Sequence, residues 1–298
     1  MNNINVMNEM NTKIDFCFRE IKNIYSIIRN IQLDYTKPYE DVTITYDAFN
    51  EQWDEVEIPD LQNHINSCTN YMLTWTGHTQ SWFKDKKVLD AGCGTGRYSY
   101  GFLACGADLK SIDFSSNGVE HTKKNCSIYK HTNVHKVNLL TYTENEQFDL
   151  VWSYGVCHHT GNTKLALLNL FSKVKSGGEL FLMLYGFPNN NSEFIEIMNY
   201  QKLRDEMILI PKQEKTNFLK KRLIELFPSV KKNDMSNDDF YNTDYGKMFL
   251  HGWNDAVAPS INELLTFEEI YIILQNNGFH NIRRVFNNRN IHLMAEKY

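Results

Sequence analysis

Residues 88–101 read VLDAGCGTGRYSYG: an apolar run, an acid, three glycines at alternate positions, then aromatic and small residues. After a parallel strand, glycine lets the backbone turn sharply and lets a ligand approach the N-terminus of the next helix. The dinucleotide fingerprint needs G-x-G-x-x-G. Here Gly92, Gly94 and Gly96 alternate, and Arg97 stands where the third fingerprint glycine belongs. That arginine weakens a pyrophosphate reading, and no Gly-Lys-Ser/Thr follows to make a P-loop. Asp113 closes the next apolar run, and a carboxylate so placed accepts hydrogen bonds from both hydroxyls of a ribose. Loop and acid together point to an adenosine-like ligand.

Outward from the loop, strand and helix patterns take turns. KKVLDA reads as a strand, GTGRYSYGFLACG as a helix, DLKSIDF as a strand, SNGVEHTKKNC as a helix and NVHKVNLL as a strand. QFDLVWSYG is a further strand, NTKLALLNLFSKVKSGG a helix with a glycine stop, and GELFLMLYG an apolar strand. This rhythm is that of a doubly wound α/β domain with a mostly parallel sheet. From Pro188 to about Leu264 it is interrupted by helical segments over 193–210 and 212–227, a polar loop KKNDMSNDDFYNTDYGK, and FLHGWNDAVAPS. It resumes with a helix, TFEEIYIILQNNG, and two strands, FHNIRRVF and IHLMAEKY. Upstream, Ile14, Phe18, Ile21, Ile24, Tyr25, Ile28 and Ile31 recur at helical spacing, and a second helix is expected over about 62–83. The expected division is therefore an N-terminal helical cap over 1–84, an α/β core over 85–187 and 263–298, and an α-helical insertion over 188–262 after the fifth strand.

Composition sets bounds. With 31 Lys plus Arg against 36 Asp plus Glu, the net charge of −5 argues against a chain that mainly neutralises a phosphate backbone. Lys212, Lys215, Lys220, Lys221, Arg222, Lys231 and Lys232 do form a basic stretch, but Asp234, Asp238, Asp239 and Asp244 follow and offset it. The six cysteines are dispersed without a C-x-x-C pair, so no metal site and no disulfide framework is expected. No apolar run reaches the length of a membrane span, and the N-terminus lacks a signal-like apolar region. The expectation is a cytoplasmic protein with reduced thiols and no membrane partner.

VLDAGCGTGRYS, SIDFS, FDLVWSYGVCHH, VKSGGELFLMLYG and LTFEEIYIILQNNGF, in this order and spacing, resemble the motifs of the class I S-adenosylmethionine-dependent methyltransferases. The resemblance covers about 86–186 and 266–298. It implies a Rossmann-like methyltransferase fold with a seven-stranded sheet of order 3-2-1-4-5-7-6, the last strand antiparallel, and S-adenosylmethionine as cofactor. It further implies that Asp90, Gly92, Cys93, Gly94 and Gly96 line the methionine end of the cofactor. Asp113 would hold the ribose, with Phe114 beside it, and Asn138 and Leu139 would lie near the adenine. Ser153 and Tyr154 would face the methionine and the methyl group. The segment YDAFNEQWDE resembles the family's aromatic lead-in, which would bring Tyr46 or Trp53 toward the sulfonium.

Methyl transfer from a sulfonium is an in-line displacement, so the protein mainly positions the acceptor, excludes water and, where needed, takes a proton. Tyr154, His158 and His159 follow the fourth strand, where a doubly wound sheet places ligands, and are the candidate catalytic set. Tyr185, ending the fifth strand, and His251, Trp253 and Asp255 of the insertion are the candidate acceptor contacts. For FLHGWNDAVAP the alternative to a pocket wall is a structural hairpin. The expected function is methylation of an N or O atom of a small-molecule metabolite. The alternatives are an RNA or protein methyltransferase docking through the basic stretch, a catalytically silent cofactor-binding subunit, and, disfavoured by Arg97, a nicotinamide oxidoreductase. The Ile-rich N-terminal stripe suits either the core or a homodimer contact, as does the insertion.

Overall fold

The computed structural model describes residues 45–50, 61–231, 234–259 and 261–298. The Ile-rich helix expected near the N-terminus and Trp53 lie outside them. Seven strands form one sheet: β1 (Lys87–Ala91), β2 (Asp108–Asp113), β3 (Val134–Lys136), β4 (Phe148–Tyr154), β5 (Val174–Leu184), β6 (Phe279–Asn287) and β7 (Ile291–Lys297). Their order is β3-β2-β1-β4-β5-β7-β6. The five strands from β1 to β5 run parallel, and β7 inserts antiparallel between β5 and β6. This is the doubly wound, Rossmann-like sheet that the alternation of apolar runs and helical stripes implies.

Both faces are covered, which is why the central strands are apolar almost throughout. On one face Leu89, Val151 and Leu182 pack with Leu167 and Leu170 of α4 (Thr163–Lys173) and with Ile270 and Leu274 of α9 (Phe267–Asn276). On the other, Val88, Trp152 and Phe181 pack with Met72 and Trp75 of α1 (Leu61–Thr76) and with Phe102 of α2 (Arg97–Ala104). Trp152 and Phe181 stack with ring centroids 3.7 Å apart, and Trp75 lies nearly parallel above Phe181. Burying each such ring contributes about 1.5–3 kcal/mol, so this stack fixes α1 to the sheet.

Several local expectations differ, among them the polar loop KKNDMSNDDFYNTDYGK, which holds the helix Asn237–Asn242 and the start of the helix Asp244–Val257. The helix expected over 62–83 stops at Thr76, because Gly77 turns at φ +76° and residues 80–83 form a separate 3-10 turn. Gly177 and Gly178 do not end α4. The helix yields to β5 at Val174, and the glycines sit where the register slips between Phe148↔Val174 and Leu150↔Glu179. Gly177 there has φ +72°, a conformation a bulge requires and other residues resist. The stretch FLHGWNDAVAP is helical and not a hairpin: it belongs to α8 (Asp244–Val257).

Between β5 and α9 lie α5 (Asn191–Ile208), α6 (Lys215–Leu226), α7 (Asn237–Asn242) and α8. Each of α5, α7 and α8 is started by a polar side chain, Asn190, Ser236 or Thr243, accepting a backbone N–H. Helices α5, α6 and α8 share an apolar core of their own, Leu203, Met207, Leu219, Leu223 and Val257. The segment leaves and re-enters the sheet side by side: Gly186 and Leu265 form a parallel bridge, and Leu265 N donates to Tyr185 O at 3.0 Å.

Candidate functional site

The loop after β1 is tied to β2 by its own backbone. Gly92 N and Cys93 N both donate to Ile112 O, at 2.7 and 3.0 Å. Gly92 has φ +87°, and a Cβ built on it would lie 2.1 Å from Val156 Cγ2, so neither the conformation nor the space admits another residue. Asp113 ends β2 with its carboxylate turned back onto the loop. Oδ2 accepts from Gly94 N at 2.8 Å, and Oδ1 accepts from Ser115 N at 2.7 Å. Burial pushes the Asp113 carboxyl up, and the backbone donors pull it part of the way back.

Asp90 sits beneath the loop, 2% exposed. Ser99 Oγ donates to its Oδ2 at 2.6 Å, and a chain of contacts continues through Ser111 Oγ to His131 Nε2. Burial raises the Asp90 carboxyl to about 7 in spite of the Ser99 bond.

A cavity of about 370 Å³ opens over this loop at the C-terminal edge of the sheet. Its wall includes Gly92, Cys93, Gly94, Asp113 and Phe114, then Asn138 and Leu139, and on the far strands Tyr154, His159 and Tyr185. Asp255 from α8 and Tyr46 from the helical residues 45–50 complete it. Other candidates stand back from the wall. Ser153 is buried beside Cys157, Gly96 caps α2, and His251 lies 3.8 Å from Asp255 one helical turn away. Trp253 packs with Tyr200, Phe227 and Phe249 in the core of the α5–α8 segment. Helical spacing explains the split: Gly252 and Asp255 share the cavity face of α8, and Phe249, Trp253 and Ala256 share the other.

Tyr46 lies at the β2–β3 side. Its ring meets Phe114 edge-on at 5.0 Å, and its hydroxyl accepts from Lys136 Nζ at 3.0 Å. Asn50 pins the same short helix to the start of α3 (Ser116–Asn125), its Oδ1 accepting from Ser115 Oγ and from Asn117 N. Thr45 reaches the other way, its Oγ1 accepting from Ile261 N at 3.2 Å. Asn138 caps a 3-10 turn with Oδ1 accepting from Leu140 N, which leaves that oxygen one lone pair.

The two histidines differ. His159 Nδ1 lies 2.8 Å from Ile261 O, so it carries the proton, and Nε2 is the ring's acceptor. Burial lowers its basicity to about 4, keeping it neutral near pH 7. His158 is fully buried behind it, stacked on Tyr185 at 4.0 Å, with Nδ1 accepting from Tyr185 N. Its Nε2–H has no partner among the described residues. Tyr154 and Tyr185 are held neutral, burial raising both phenols.

Arg97, Val156 and Phe49 also line the cavity, and sequence reasoning had not placed them there. Arg97 alone carried a signal, as the charged residue inside a glycine-rich loop. Among the described residues no group of His, Cys, Asp or Glu is arranged to hold a metal ion, and no helix is long and apolar enough to cross a membrane.

Residues 89–180 match the family model described as a methyltransferase domain. This is a class I S-adenosylmethionine-dependent methyltransferase domain. The chain is 27% identical over 198 residues to the mitochondrial ubiquinone biosynthesis O-methyltransferase of Schizosaccharomyces pombe, covering 61% of this chain and 66% of that protein. It is 36% identical over 105 residues to the tRNA U34 carboxymethyltransferase of Campylobacter hominis, covering 33% of this chain and 35% of that protein. The matched stretches thus span just under two thirds and about a third of these relatives. The fold of the methyltransferase domain is also that of magnesium protoporphyrin IX methyltransferase from Synechocystis PCC 6803, solved with bound SAH. The TM-score is 0.52 at 17% identity, over 87% of this chain and 100% of that one. The donor of the family, S-adenosylmethionine, fits what the loop offers: a half-buried carboxylate at the end of β2 and a glycine turn closed to any Cβ.

Proposed function

We propose that the chain moves a methyl group from S-adenosylmethionine to an N or O atom of a small-molecule acceptor. In this reading residues 188–262 are the acceptor lid and residues 1–84 a cap. The observation that carries it is the cavity itself, in which the Gly92–Gly94 loop and Asp113 face one space with His159, Tyr185 and Asp255. S-adenosylmethionine, when bound, supplies an electrophilic methyl on a sulfonium. Asp113 would accept from the ribose hydroxyls while its two backbone donors keep it aimed. Asn138 would use the remaining lone pair of Oδ1 for the adenine amine.

On the acceptor side, His159 would accept a hydrogen bond from the acceptor O–H or N–H through Nε2. With basicity near 4 it serves orientation better than full proton abstraction. His158, packed against both His159 and Tyr185, would hold that geometry. The basic stretch supports a small acceptor over a nucleic acid, because its charge is partly used within the fold. Arg222 pairs with Glu206 and Glu225, and Lys220 lies over the Tyr241 ring.

The test has two arms. Thermal shift should show stabilisation by S-adenosylmethionine and S-adenosylhomocysteine and none by NAD; a response to NAD alone would sink the reading. Methyl-labelled donor should then label a pool of small metabolites and leave bulk RNA unlabelled, whereas label in RNA would assign the macromolecular alternative.

A further inference from the structure

Among the described residues four glycines stand inside α-helices: Gly101 of α2, Gly118 of α3, and Gly246 and Gly252 of α8. Glycine weakens a helix interior relative to alanine, so each position calls for a reason. Three have theirs within the fold. A Cβ on Gly101 would stand 2.8 Å from Thr69 Oγ1, one on Gly118 3.2 Å from the Asp113 carboxylate, and one on Gly246 2.0 Å from Phe240 O. Gly252 differs. Beyond its own helical backbone, a Cβ there would meet nothing within 4 Å, and its φ is not in the left-handed region that favours glycine. Neither packing nor conformation asks for the missing side chain. What sets the position apart is that it lines the cavity.

The surroundings of α8 tell which molecule the room serves. Asp255 stands three residues beyond Gly252, on the same helix face. Its charge bears on His159 in the turn after β4 and on Tyr185 after β5, as well as on Arg97 and Tyr154. The groups that bear on Asp113, in contrast, are Gly94, Ser115 and Phe114, and none belongs to α8. The bare stretch of helix therefore meets the half of the cavity that holds His159 and Tyr185. We infer that Gly252 determines acceptor specificity: the acceptor packs directly on the exposed backbone of α8, one turn from the carboxylate of Asp255, and the absent side chain sets how bulky it can be. The inference rests on the methyl-transfer reading and deepens it.

The experiment separates the two. Wild type, Gly252→Ala and Gly252→Leu are each given methyl-labelled donor and a small-molecule extract diluted below saturation, and Tm and S-adenosylhomocysteine affinity are measured alongside. Gly252→Ala should hold Tm or raise it by about 1–3 °C, since alanine is the better helix former. Both variants should keep S-adenosylhomocysteine affinity within about twofold and lose label in steps, about three- to tenfold for alanine and about thirtyfold or more for leucine. Label within about twofold of wild type in both variants would overturn the inference, because the room would then be unused. A lowered Tm for Gly252→Ala, with label lost in proportion, would make the glycine a packing requirement and overturn it too. Loss of S-adenosylhomocysteine affinity in step with label would give the room to the donor, with the same consequence. All three leave methyl transfer standing. No label with wild type would remove methyl transfer, and this inference with it.

Discussion

On the β1–β2 side of the cavity, the wall is mostly backbone. Gly92 and Cys93 hang from Ile112 O, and Gly94 N and Ser115 N hold Asp113 from both sides. On the α8 side, the wall is a helix face kept in place by apolar packing among α5, α6 and α8. The first arrangement depends on atoms close together in space and fixed by sheet register, and tolerates almost no change. The second depends on the fit of a separate small core, so its residues are replaceable so long as the helices keep their packing. One cavity thus joins a seat specified by geometry to a cover specified by volume.

The strongest way to break this contrast is Gly92→Ala. The added Cβ meets Val156 and forces φ +87° on an L-residue, so S-adenosylhomocysteine affinity should fall by about a hundredfold or more, with the circular dichroism spectrum retained. A fall under about threefold in calorimetry would mean that the loop yields after all, and that it is not the rigid half.

Asp90→Asn sharpens the same side. The Asp90 carboxyl titrates near 7 in the fold against 3.8 in the unfolded chain, so between these values the folded state binds more protons. The native carboxyl is therefore tolerated when neutral, and stability is lost as pH rises from 3.8 through about 7, with the loss complete above that. Relative to wild type, the Asn variant should gain up to about 4 kcal/mol on going from pH 4 to pH 8, read by denaturant unfolding at both. A difference that does not change with pH would show that the Ser99 bond satisfies the charge fully.

Gly246→Ala tests the α8 side. A Cβ there would stand 2.0 Å from Phe240 O, so α8 must shift away from α7 and carry Asp255 with it. Acceptor KM should rise several-fold while S-adenosylhomocysteine affinity stays within about twofold. Equal losses in both would show that the two walls are mechanically one.

The same contrast explains what could be read from the chain. Gly92, Gly94 and Asp113 are separated by short, patterned stretches, and the strand–loop–helix grammar around them fixes their meeting without knowledge of anything distant. The sheet order followed from that grammar together with the family resemblance. Asp255 and Trp253 looked equivalent in HGWNDA, yet which of them faces the cavity is decided by the orientation of α8, set by Leu203, Leu219 and Leu223 on other helices. Arg97 was visible only as a misfit to another motif, because two of its neighbours in the fold, Tyr154 and Asp255, lie far along the chain. The Gly177–Gly178 pair reads as a helix stop in sequence, since a bulge is defined by the partner strand and not by the bulged one.

The paired stub at Gly186 and Leu265 has an evolutionary consequence. Because the polypeptide departs and returns through two hydrogen-bonded neighbours, whatever lies between them can grow, shrink or be exchanged at a loop-closure penalty that rises only with the logarithm of its length. The stretch behaves as a cassette. Exchange of the stretch would leave β7 docked on β5 and, on the proposed assignment of residues 188–262 as the acceptor lid, would change the acceptor while keeping the β1–β2 loop.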